Sequence, residues 1–160
     1  MTLEQFNALP PPEAERELLT CCAAPRWART MAAGRPYTSI AALHAAAGTA
    51  LDDADLDAAM AGHPRIGDRQ AGAQSRREQR GVGTAAPDVL AALEEGNRAY
   101  EERFGHVYLV CATGRSAEDL LATLHARLGN DRAAERAVAL AELAAINQIR
   151  LDQLVGQDPS

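Results

Sequence analysis

Two short segments carry residue types suited to proton transfer. Gly62-His63-Pro64-Arg65-Ile66-Gly67 sets an imidazole between a glycine and a proline, and Ser75-Arg76-Arg77-Glu78-Gln79 supplies a carboxylate soon after it. A histidine titrates near neutral pH and a nearby carboxylate can set its charge and orientation, so His63 and Glu78 form a candidate acid/base pair. Each segment also has a purely structural reading. Gly62 and Pro64 are helix stops, which would leave His63 an ordinary surface residue. Ser75 and Glu78 have the N-cap to N3 spacing of a capping box, a common helix start. Spacing alone leaves both readings open.

Other chemistries are poorly supported. All 16 basic residues are arginine. The absence of lysine excludes Schiff-base and pyridoxal-phosphate chemistry, a P-loop, biotin or lipoyl carriage and a lysine general base. His44, His63, His106 and His125 are scattered, with no His-x-Glu or Cys-x-x-Cys spacing, so no metal site is expected. Gly81-Val82-Gly83 lacks the third glycine and the preceding strand of a dinucleotide fingerprint, and no serine elbow occurs. Cys111 lies in an apolar run that should raise its thiol pKa and leave it inert.

The elements that must position these residues are helical. Alanine supplies 35 residues against 6 valines and 4 isoleucines, a balance that favours helix over strand. Pro10-Pro11-Pro12 separates an N-terminal turn from a helix over about 13–22, and Pro25 opens another to about 33. Ser39 caps a helix to Ala47, stopped by Gly48, and Asp52 or Asp53 caps one that ends at Gly62. The polar stretch 67–83 offers one helical turn near 75–79. Leu90, Leu93, Asn97, Tyr100 and Phe104 then fall on one face of a helix opened by Thr84 and Pro87, which puts Asn97 on the buried stripe as a satisfied amide. Residues 107–112 read as either a buried extended segment or a helical turn. Ser116 and Asp119 form a variant capping box for a helix to about 128, and a last helix spans about 131–155.

On that last helix Leu143, Ile146, Arg150 and Leu154 share a face. An arginine on an apolar stripe needs an anionic partner or a solvated pocket, because an unpaired buried charge costs several kcal/mol. Trp27, Tyr37, Tyr100 and Phe104 are read as packing residues, His44 and His125 as structural or exposed, and His106 as a surface residue near the candidate pocket. The expected architecture is all-α, one domain of about eight helices over residues 1–160 with a disordered tail.

A net charge of -6 argues against nucleic acid as a partner. No run approaches the ~18 apolar residues of a spanning helix, so no membrane partner is expected. With Cys21 and Cys22 adjacent and no disulfide framework, a cytoplasmic location fits.

The segments taken together resemble the 2-oxo-4-hydroxy-4-carboxy-5-ureidoimidazoline (OHCU) decarboxylases, which complete the conversion of urate to allantoin. The resemblance runs through Phe6-Asn7, Trp27, Arg35-Pro36-Tyr37, His63-Pro64, Ser75, Glu78-Gln79, Asn97, Tyr100 and Phe104-Gly105. It continues through Tyr108-Leu109-Val110-Cys111-Ala112, Arg127-Leu128, Asn130, Glu135 and Ile149-Arg150-Leu151. The chain departs from the family at Arg65-Ile66-Gly67, where an acidic residue is frequent, and at His106 and Tyr108, where two aromatics often follow Phe-Gly.

The resemblance implies an all-helical, cofactor-free, usually homodimeric enzyme that releases CO2 from a small ureidoimidazoline and yields (S)-allantoin. Carried over by residue, His63 is the catalytic acid/base and Glu78 its partner at the substrate ring. Pro64, Ser75 and Gln79 line the pocket, Tyr108, Leu109, Val110, Cys111 and Ala112 form another wall, and Arg150 meets an anionic or carbonyl group. Two other readings stay in view: a helical hydrolase or isomerase of a related ureide, and an interaction module using Arg76, Arg77 and Arg80 as a basic patch.

Overall fold

The computed structural model describes residues 1–67 and 72–156. The expected disordered tail falls on 157–160, outside the described residues. Ten helices occur among them: α1 (Leu3–Ala8), α2 (Pro11–Cys21), α3 (Pro25–Ala33), α4 (Ile40–Ala50), α5 (Asp53–Ala61), α6 (Ala73–Glu78), α7 (Arg80–Gly83), α8 (Pro87–Phe104), α9 (Ala117–Arg127) and α10 (Arg132–Val155). The expected all-α class holds, and the two helices beyond eight are the short α6 and α7. Residues 107–112 are neither helix nor strand.

Local chemistry accounts for most boundaries. Thr2 with Gln5 and Asp52 with Asp55 make reciprocal capping boxes, and Ser39 and Ser116 accept from Ala42 N and Asp119 N. Pro11, Pro25 and Pro87 sit in the first turn of their helices, where a missing N–H costs nothing. Gly105 ends α8 in the left-handed region at φ 78°, which glycine adopts without strain. Two expected boundaries fail. α2 starts at Pro11 rather than near 13, because proline suits the first turn. α4 runs through Gly48 to Ala50, because one exposed glycine costs only about 1 kcal/mol against alanine and does not stop an alanine-rich helix.

The chain divides into two compact units, Met1–Gly62 with the chain from Leu143 onward, and His63–Glu142. In the first, α3 packs against α2, α4 and α5. Phe6, Leu18, Trp27, Met31, Leu43, Leu56, Leu143 and Leu151 are buried in this unit, and Trp27 satisfies its indole N–H on the Ala47 carbonyl at 3.1 Å. Arg35 donates to the Phe6 and Leu9 carbonyls at the end of α1, both at 2.8 Å, while Asn7 brackets the backbone of Tyr37 with two 2.9 Å bonds. These motif residues hold the N-terminal turn in place.

Two buried thiols give this unit an alkaline weakness. Burial pushes Cys21 from 9.0 up to about 11 and raises Cys22 as well. Below pH 9 both folded and unfolded chains keep these protons and the stability is fully present. Above it the unfolded chain ionises first, so stability is lost as pH rises from 9 through 11, by about 3 kcal/mol for Cys21 alone. Thermal melts across this window should fall steadily, and Cys21→Ala should flatten the fall.

In the second unit α8 packs on α9, with Gly96 allowing the close approach: a Cβ there would lie 2.5 Å from Leu124 Cδ2. Their core joins Ile66, Val82, Leu93, Tyr100, Phe104, Tyr108, Val110, Ala112, Leu120 and Leu124. The expected stripe of α8 is observed, with Asn97 only 3% exposed.

Candidate active site

Gly62 caps the end of α5 with its N–H on the Ala59 carbonyl, and the chain leaves the helix at His63, which is half-buried beside half-buried Pro64. The helix-stop reading of Gly62 is therefore correct. It does not make His63 a free surface residue, because the chain that follows is pinned at three points. Arg65 forms a two-pronged ion pair with Glu101 on α8, at 2.6 and 3.0 Å. Asn97 Nδ2 donates to the Ile66 carbonyl at 3.2 Å, and the Gly67 N–H donates to Gln79 Oε1 at 2.9 Å. Asn97 is thus a loop anchor as well as a core residue; its Oδ1 has no hydrogen-bond partner, so the expected satisfied amide is only half satisfied. Gln79 ties the His63 segment to the one carrying Glu78.

The capping-box reading of Ser75 and Glu78 is overturned. α6 starts two residues before Ser75, with Gly72 as its N-cap and no side-chain cap bond. Ser75 lies in the first turn, Glu78 is the last helical residue, and Gln79 is the hinge between α6 and α7. A carboxylate at a helix C-terminus faces the negative end of the peptide dipole, so Glu78 gains nothing from the dipole of α6. Ser75, Glu78 and Gln79 are half-buried, whereas Arg76 and Arg77 are exposed. α7 is held tightly in turn: a Cβ on Gly81 would come within 2.2 Å of the Arg115 carbonyl. Glycine there lets α7 seat against the backbone of Arg115 and Ser116.

The segment Tyr108–Ala112 forms the third component. This stretch, neither helix nor strand, buries Tyr108, Leu109, Val110 and Ala112, while Cys111 is partly exposed. The Cys111 N–H donates to Glu142 Oε2 at 3.1 Å. Burial raises the Cys111 thiol above its ordinary range and the carboxylates of Glu142 and Glu78 push it the same way, so the thiol is protonated and inert at neutral pH and Glu78 lies within electrostatic reach of this wall. His63, Pro64, Ser75, Glu78, Gln79 and residues 108–112 all belong to the second unit.

Arg150 belongs to the first unit. It lies on the buried face of α10 with Leu143 and Ile146, 8% exposed, and Nη1 donates to the Cys21 carbonyl at the end of α2 at 3.2 Å. Its charge favours the thiolate forms of Cys21 and Cys22, against the larger effect of burial. Asn147, one turn earlier, is 1% exposed. The buried arginine of the apolar stripe is therefore real, and one of its donors holds the end of α2.

Two features were not legible as partners in the sequence. Arg127 and Glu135, separated by the turn between α9 and α10, form a buried ion pair beneath the Tyr108–Ala112 wall, and Glu142 occupies that wall's Cys111 amide. Helical periodicity marks each as lying on a given face, but pairing across a turn has no periodic signal. His106 packs among rings at the end of α8, stacked on Phe104 with centroids 6.1 Å apart and edge-on to Tyr100. His44 is engaged by Asp152 at 2.7 Å and Gln148 at 3.1 Å, as its structural reading expects. Among the described residues no group of three or more His, Cys, Asp or Glu is placed to hold a metal ion, and no helix is long and apolar enough to cross a membrane.

Comparison with known proteins bears on the whole chain. Residues 7–152 match the profile described as OHCU decarboxylase. The 2-oxo-4-hydroxy-4-carboxy-5-ureidoimidazoline decarboxylase of Amia calva is 33% identical over 132 residues, 76% of this chain and 75% of that protein. The uric acid degradation bifunctional protein TTL of Arabidopsis thaliana is 27% identical over 88% of this chain but only 47% of its own length. Among solved structures, OHCU decarboxylase in the presence of (S)-allantoin superposes with a TM-score of 0.79 at 24% identity, covering 88% of this chain and 98% of that one. A structure of (S)-allantoin synthase gives 0.67 at 16% identity, covering 97% and 54%. By the profile match and the Amia calva relative together, the chain belongs to the OHCU decarboxylase family.

Proposed function

We propose that the chain decarboxylates 2-oxo-4-hydroxy-4-carboxy-5-ureidoimidazoline to (S)-allantoin and CO2 without a cofactor, with His63 and Glu78 as its catalytic pair. The bond between the hydroxyl-bearing ring carbon and its carboxylate breaks, and its electron pair forms a double bond to the neighbouring ureido-bearing carbon while the imine electrons move onto nitrogen and the conjugated carbonyl. A proton then adds to one face of the ureido-bearing carbon, and the hydroxyl gives up its proton to become a ring carbonyl. The ring is its own electron sink. The protein's tasks are to hold the carboxylate perpendicular to the ring plane, stabilise the enolate-like anion and deliver the proton to a single face. His63 delivers the proton, and Glu78 orients or polarises the ring and sets the charge on His63. Pro64, Ser75 and Gln79 line the pocket, residues 108–112 offer peptide groups to the oxygens, and Arg150 takes an anionic or carbonyl group.

The observation that carries this reading is the position of Glu78 at the end of α6, outside any cap and within electrostatic reach of Cys111. A carboxylate placed against its own helix dipole and close enough to act on Cys111 is available for work at that wall. Generating the substrate from urate in situ and following optical activity, in buffer containing a strong chelator, tests it. Faster appearance of (S)-allantoin with the protein supports the reading; no acceleration overturns it. A homodimer and a cytoplasmic location go with the same proposal, the first supported by the family resemblance and the second by three free thiols. Light scattering of the purified protein checks the first.

Glu78→Gln follows directly. Glutamine keeps the shape and hydrogen-bonding reach of the side chain and no helix cap is lost, so stability should stay within about 0.5 kcal/mol of wild type. Turnover should drop about tenfold, since the variant keeps shape but not charge and a partner that orients contributes less than the group transferring the proton. Lost stability with preserved turnover would return Glu78 to a structural role.

A further inference from the structure

We infer that Arg127, held by Glu135, is a positioning residue that aims the Val110 N–H at the reacting ligand as an oxyanion-type donor. This rests on the proposal that residues 108–112 form the substrate wall. Arg127 is 5% exposed and Glu135 is fully buried. Arg127 Nε donates to Glu135 Oε1 at 2.7 Å and Nη1 donates to the Leu109 carbonyl at 2.8 Å. Glu135 is fixed in turn by the Tyr100 hydroxyl on Oε1 and by Asn130 Nδ2 on Oε2 at 3.1 Å. The guanidinium lies over the Tyr108 ring, 4.9 Å from its centroid, so its plane is set from a second direction.

The consequence is geometric. The only cis peptide among the described residues is Arg35-Pro36, so the Leu109–Val110 peptide is trans and planar, with its carbonyl and N–H pointing in opposite directions. Fixing the Leu109 carbonyl on Arg127 therefore turns the Val110 N–H away from the buried network. The bond also polarises that peptide, since a cation on the carbonyl strengthens the N–H at the other end as a donor. The next N–H, that of Cys111, is taken by Glu142, which leaves Val110 as the donor this network controls.

Arg127→Lys keeps the charge but has no planar fork to serve Glu135 and Leu109 together. Tyr100→Phe removes one bond to the same glutamate and leaves the Arg127–Leu109 bond intact. Both variants should melt earlier than wild type. Only Arg127→Lys should lose turnover, by at least about tenfold with KM little changed, because outright loss of one such donor costs about 10²- to 10³-fold in kcat. The Val110 amide ¹⁵N shift should move in Arg127→Lys and stay put in Tyr100→Phe. If Arg127→Lys does not fold, the wild-type spectrum decides: the Val110 amide should shift on adding (S)-allantoin, and an unmoved amide overturns the inference. Equal turnover losses in the two variants, or wild-type kcat in Arg127→Lys, also overturn it. Wild-type turnover in a His63→Asn protein would instead overturn the underlying site reading.

Discussion

His63→Asn lowers the production of (S)-allantoin by about 10²- to 10⁴-fold, the usual contribution of a positioned acid or base, while the protein stays folded. Asparagine keeps a polar side chain of similar reach but cannot carry a proton between neutral and charged forms. The fold should tolerate the change, because the stretch is also restrained by its neighbours: Gly62 ends α5, Arg65 pairs with Glu101, Asn97 holds the Ile66 carbonyl and Gln79 holds the Gly67 N–H. Circular dichroism and thermal melts should match wild type within about 0.5 kcal/mol. A variant that turns over at the wild-type rate would remove His63 from the chemistry and leave it the residue after a helix stop. A variant that unfolds would show that the imidazole helps hold the loop, and His63→Gln would then be needed to separate the two roles.

The sequence was most legible where one residue type has one local job. Ser39, Asp52 and Ser116 cap the helices they were expected to cap, and the stripe through Leu93, Asn97, Tyr100 and Phe104 is buried as its spacing requires. It was least legible where two local signals compete. Ser75 and Glu78 match a capping box, yet Gly72 starts the helix earlier and the match is accidental. Gly48 resembles a stop but lies inside an alanine-rich helix whose neighbours outweigh it. Residues 107–112 were ambiguous because their form is decided by distant groups, with Arg127 on one carbonyl and Glu142 on one N–H. The candidate site follows the same division. Its residue types were readable, whereas the bonds joining Gly67 to Gln79 and Asn97 to Ile66 are tertiary facts that no spacing encodes.

Arg150 should show the second large effect. Arg150→Lys keeps a positive charge at the same height on α10 but replaces a planar fork with a point donor. If the guanidinium takes a carboxylate or carbonyl of the substrate, losing one charge-assisted hydrogen bond of about 1.5 to 3 kcal/mol lowers kcat/KM by about 10- to 100-fold. Arg150→Met separates this from a folding role. The wild-type residue donates to the Cys21 carbonyl at the C-terminal end of α2, a favourable place for a cation, and methionine forfeits that bond, about 1 kcal/mol. It also removes the cost of keeping a charge in a site only 8% exposed, so under the substrate-binding reading the net change in stability should be small. A guanidinium that instead neutralised a buried acid would leave that acid uncompensated when replaced, at a cost of about 3 to 5 kcal/mol. Melts and kinetics of both variants decide: a large loss of stability with preserved kcat/KM would make Arg150 a brace for the end of α2, and a large loss of kcat/KM at unchanged stability would make it a substrate-binding residue.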